Sequence, residues 1–98
     1  MAAPSAPANI AVKQGLNPGA VLMVCDAVVA TPAVASYTFY FDKVTGVSTS
    51  QYQGKRTVTK NQLEEEDMPY DKVFCVVTAT NADGTSSAGT EASGWVAE

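Results

Sequence analysis

Apolar and polar positions alternate in short bursts along this chain, and the bursts are rich in Val, Thr, Tyr and Phe. No segment repeats apolar residues at helical spacing for three turns, so the pattern predicts strands throughout. The first expected strand, Asn9 to Val12, stops at Gln14-Gly15-Leu16-Asn17-Pro18-Gly19, where Pro presets one turn dihedral and Gly permits positive φ. A second runs from Ala20 to Val28, and Tyr37-Thr38-Phe39-Tyr40-Phe41 forms a third after the connection holding Pro32. Lys43 to Gly54 is polar and Arg56 to Lys60 alternates around Val58, which fits two short edge strands. Asn61 to Asp71, with Glu64, Glu65, Glu66, Asp67 and Pro69, is expected as a solvated crossover. Lys72 to Thr80 is the clearest strand, and the turn Asn81-Ala82-Asp83-Gly84 leads into a Thr/Ser-rich last strand ending at Val96. About seven strands in this length predict an all-β, two-sheet Greek-key sandwich.

Residues 1–8, rich in Ala and Pro, are expected as a flexible arm, and residues 9–98 as a single domain. The stretch VFCVVTATNADGTSSAGT, Val73 to Thr90, resembles the sixth strand, turn and seventh strand of fibronectin type III domains. APSAPANIAV is similar to that family's Pro-rich lead-in and first strand, and ASYTFYFDK to its third strand. The resemblance covers most of the chain and implies a fibronectin type III or immunoglobulin-like sandwich. Three features depart from the pattern. Cys25 stands where the family places a core tryptophan, Val73 replaces a usual tyrosine, and the connection from Leu63 to Val73 is longer and more acidic than the family's short link.

Composition narrows the function. Ten acidic and six basic side chains give a net charge of -4, and only Lys55 and Arg56 are adjacent cations, so nucleic acid is not an expected partner. The longest apolar stretch, Ala20 to Cys25, is far short of the roughly 20 residues that a membrane-spanning helix requires, so no membrane insertion is expected. The N-terminal MAAPSAPANI has neither a basic n-region nor an apolar h-region, so no secretory signal is expected. With no histidine, no Gly-x-Ser-x-Gly elbow and no phosphate loop, the chain is expected to be no enzyme and to hold no cofactor. Two cysteines without histidine do not complete a zinc set, and the Glu64 to Asp67 run lacks calcium-loop spacing, so no metal is expected.

Two groups of residues remain as site candidates. Cys25 and Cys75 fall at inward positions of the second and sixth strands. The immunoglobulin-like resemblance implies an inter-sheet disulfide between them, worth about 4 kcal/mol by loop closure, and two buried thiols acting as small apolar residues are the equal alternative. Placing Tyr37, Phe39, Phe41, Cys75 and Val77 inward turns Tyr40, Phe74 and Val76 outward, where they are expected to form an apolar patch for a protein partner. Cover by the terminal arm or by Trp95, or the plain β-propensity of a crowded strand, is the equal alternative. The loops Ala30 to Ala35 and Asn81 to Ser87 are expected to cluster at one end. By analogy with add-on modules of tailed bacteriophages, the expected function is a non-enzymatic decoration protein. It would assemble in the host cytoplasm onto a virion capsid or tail, with surface carbohydrate as a further partner. The alternative is an extracellular spacer or carbohydrate-binding module from a secreted multidomain enzyme or adhesin.

Overall fold

The computed structural model describes residues 3–66 and 71–97. Eight strands run in chain order: β1 (Ala11–Gln14), β2 (Val21–Val24), β3 (Ser36–Asp42), β4 (Gly54–Val58), β5 (Gln62–Glu65), β6 (Lys72–Asn81), β7 (Gly84–Thr85) and β8 (Ala92–Trp95). They form an antiparallel three-stranded sheet, β1-β2-β5, facing a five-stranded sheet, β4-β3-β6-β7, in which β8 also pairs with β6. This is the two-sheet sandwich that the strand pattern predicts.

The core follows from period-two alternation. Val12, Val21 and Met23 from one sheet meet Tyr37, Phe39, Phe41, Val73, Cys75, Val77 and Ala79 from the other. Phe39 has no exposed surface and sits on β3 between β4 and β6.

Several boundaries differ from the sequence reading, each for a local reason. β1 begins at Ala11 because Asn9 has a left-handed φ of 55° that breaks the extended run. β2 ends at Val24: the Cys25 amide still bonds the Asn61 carbonyl, but the Asp26 amide turns to the Ala8 carbonyl and the Val28 amide to the Tyr37 hydroxyl. Lys43 to Lys60 yields one strand, β4, plus an isolated Ser48–Gln51 bridge, because residues 45–47 are held in a turn described below. The expected acidic crossover starts with a strand, β5, in which Leu63 pairs with Met23 and packs on the core. The rest of that expectation, Asp67 and Pro69, lies outside the described residues.

The last strand is split. Thr85 pairs with Thr80 and Ala92 with Cys75, so seven steps along the outer strand (92 − 85) oppose five along β6 (80 − 75). Two residues are extra, and the ladder opens between β7 and β8 as it does at a bulge. Ser86 repairs the gap, its hydroxyl accepting the Ala79 amide at 2.9 Å and donating to the Ser87 carbonyl at 2.8 Å.

The N-terminal segment, expected as a free arm, lies from residue 3 onward against this opened edge. Pro4 and Pro7 are buried, and a Cβ on Gly89 would collide with the Pro7 carbonyl oxygen. Ala3 approaches Gly84 at the same end. At the other end the Ala97 amide bonds the Ala20 carbonyl at 3.0 Å, and the Gly19 amide bonds the Ala97 carbonyl at 2.7 Å. The two ends of the described chain therefore sit at opposite poles of a body 44 Å long.

Candidate functional site

The outer face of the five-stranded sheet carries the chain's aromatic surface. Register puts Tyr40 opposite Val76 and Asp42 opposite Phe74 on the side away from the core, with Lys72 opposite Trp95 and Phe74 opposite Ser93. A solvated face of an antiparallel sheet is ordinarily polar, so the cluster is notable. Tyr40 and Phe74 are half-buried there, and Trp95 is 60% exposed.

Val76 departs from the expected patch, being only 3% exposed. Glu91, the residue before β8, holds a turn of the chain. Its carboxylate accepts the Thr45 hydroxyl at 2.7 Å, the Gly46 amide at 2.8 Å and the Val47 amide at 2.9 Å, and Val47 is itself buried. Trp95 flanks the remaining patch rather than covering it.

Side chains not singled out by the sequence complete the strip. Tyr52, from the polar segment before β4, packs edge-on against Tyr40 with centroids 5.1 Å apart at 65°. Lys72 places its ammonium 5.2 Å from the Phe74 centroid and 5.1 Å from that of Trp95, and Lys55 lies 5.8 Å from Tyr52. The signal available for Lys72 was its parity with Phe74 and Val76 in β6. Trp95 carried a signal of the same kind, since the two extra residues between β7 and β8 are an even number and leave it facing outward with Thr85.

Burial alone would raise the Glu91 carboxyl, but its hydrogen bonds from Thr45, Val47 and Gly46 outweigh this and hold it below the usual carboxylate range. A group lowered on folding stabilises the native state above its ordinary pKa, and that contribution is lost as pH falls through the lowered value. The Gly46 and Val47 amide proton shifts are expected to titrate together, with a midpoint below about 4.3, the ordinary Glu pKa. Glu91→Gln should remove that titration in an NMR pH series.

At one end of the sandwich the Asn81 amide donates to the Pro32 carbonyl at 2.9 Å and the Ala35 amide to the Thr80 carbonyl at 2.8 Å. The loops Ala30 to Ala35 and Asn81 to Ser87 thus meet.

Known structures share this arrangement. A protein named FN3tt superposes with a TM-score of 0.76 at 18% identity, covering 99% of this chain and 98% of that one. The chain has the fibronectin type III fold. An fn3 domain of human contactin 1 gives 0.77 at 20% identity over 100% of this chain and 82% of that one. An Fn3-like protein from Clostridium thermocellum gives 0.67 at 16% over 99% and 97%. No family model and no curated protein matches the sequence.

Within this fibronectin type III sandwich both cysteines are buried free thiols of the core cluster, Cys25 just beyond β2 and Cys75 in β6. Burial, with a smaller push from the Asp26 carboxylate, raises the Cys25 thiol to about 11. Burial first and then Cys25 push Cys75 higher still. At pH 8 iodoacetamide is expected to label Cys25 about two orders of magnitude more slowly in the native protein than in urea, and Cys75 only on unfolding, as read by mass spectrometry. Because both values are raised on folding, their stabilisation is complete below pH about 8.5 and is lost as pH rises toward the folded values. Among the described residues no group of acidic or cysteine side chains is arranged to hold a metal ion, and no helix is long and apolar enough to cross a membrane.

Proposed function

We propose that the chain is a non-enzymatic module that docks on a larger assembly through the strip Tyr40, Tyr52, Phe74 and Trp95. The observation that carries this reading is the Trp95 ring, 60% exposed on the same face as two further aromatic rings. Exposed aromatic side chains on a rigid sheet are what interfaces use as anchors, since they supply large contact area at low entropic cost. The larger assembly we propose is a virion capsid or tail, by analogy with fibronectin-like add-on modules of such particles. The test is co-sedimentation with the native particle. Wild-type protein should travel with the particle, and Phe74→Ser/Trp95→Ser should lose at least tenfold in occupancy at an unchanged melting temperature. Full occupancy by the variant, or loss of occupancy only in step with unfolding, ends the proposal.

One observation favours a second reading. Ends at opposite poles suit a spacer strung between neighbours in a longer extracellular chain. A native transcript that continues in frame into flanking domains would decide for it.

A further inference from the structure

The aromatic strip is also a cationic one. Lys72 is seated between Phe74 and Trp95, and Lys55 over Tyr52. Neither ammonium has a carboxylate partner among the described residues, where Arg56–Glu65 is the one ion pair. Among the described residues two cations thus stand on aromatic rings without an ion pair, in a chain whose net charge is -4. The rings run obliquely from β8 across β6 and β3 to Tyr52, a track of about 20 Å from strand spacing and rise. The hydroxyls of Ser93, Thr38 and Thr57 share the face, its aliphatic member, Val76, is buried, and its carboxylate, Asp42, is buried and accepts the Lys43 amide.

We infer that this strip binds an extended polysaccharide bearing carboxylates, an inference that rests on the outer face being a docking surface and puts a glycan, rather than a capsid or tail protein, in contact with it. A peptide that adds as a strand takes its main-chain hydrogen bonds from the edge of a sheet. On the face of the β3–β6–β8 ladder the backbone groups are already paired, so a peptide lying there would bury its own amides without partners. A pyranose ring makes no such demand. Its C–H surface lies on an aromatic ring while its hydroxyls point to water and to the Ser and Thr side chains. Carboxylates spaced along the polymer then meet Lys72 and Lys55, whose charge is opposite and which form no ion pair among the described residues.

Trp95 is the chain's one tryptophan, so its emission reports on the strip without interference. The experiment is a fluorescence titration, paired with affinity electrophoresis, using polygalacturonate, alginate and hyaluronate as carboxylated polysaccharides. Hydroxyethylcellulose serves as a neutral one and polyglutamate as an acidic peptide. At least one carboxylated polysaccharide is expected to shift the Trp95 emission to the blue and retard migration, with binding that weakens as salt is raised. Lys72→Ala should weaken it at least tenfold at an unchanged melting temperature, while Lys13→Ala, on the opposite sheet, leaves it intact. Silence with all three carboxylated polymers overturns the inference, as does an equal response to hydroxyethylcellulose or to polyglutamate, or indifference to Lys72→Ala. If the polymers fail while Phe74→Ser/Trp95→Ser still abolishes co-sedimentation, the docking surface stands and its ligand is a protein.

Discussion

Replacing Phe39 with Ala is expected to destabilise the domain by about 3–5 kcal/mol. Phe39 is the largest of the fully buried side chains and packs midway along β3, the strand that joins β4 to β6. Its loss removes the transfer free energy of the ring and leaves a cavity that two hydrogen-bonded sheets are poorly able to collapse around. Small domains are stable by about 5–15 kcal/mol, so the variant gives up a large part of the total. Phe39→Leu, which keeps most of the volume, should cost much less. Urea unfolding followed by Trp95 emission measures both, and a loss under about 1 kcal/mol for the Ala variant would mean that the core is not organised around this ring.

The second large effect is expected at Gly94→Ala. A Cβ there would collide with the Val12 carbonyl oxygen and stand 2.7 Å from its carbonyl carbon, both backbone atoms of β1. Neither strand has a flexible side-chain end to move aside, so β1 and β8 must separate. The cost is expected at the top of the roughly 1–3 kcal/mol range for overpacked sites, or beyond it. Gly46→Ala is the contrasting variant. Nothing lies within 4 Å of its new methyl, and its φ of +96° alone should cost about 1 kcal/mol. Equal melting temperatures for the two would show that β1 and β8 are not closely apposed.

The sandwich and the facing of β3 and β6 were legible in the sequence because unbroken alternation fixes side-chain parity. Tyr37, Phe39 and Phe41 point inward, and every other residue follows. β5 was not legible, because four consecutive acids read as solvated. In the fold Leu63 supplies the inward position and Arg56 reaches Glu65 at 3.2 Å across the open edge between the sheets. Inward-pointing charge at such an edge discourages pairing with other chains. The candidate site was half legible. Tyr40 and Phe74 were placed on one outer face by parity. Val76 is buried in spite of its outward parity, and Trp95, expected only as a cover, keeps the outward parity of Thr85 across the even insertion and stands 60% exposed.

The opposed poles of the chain have a mechanical consequence. β1 runs from the pole occupied by residue 3 toward the turn at Gly19, and β8 runs toward that same turn, where Ala97 is bonded. A pull applied at residues 3 and 97 therefore acts along both strands rather than across them. It loads the β1–β2 and β6–β8 hydrogen bonds together in shear, so that they must fail as a group instead of peeling open one after another.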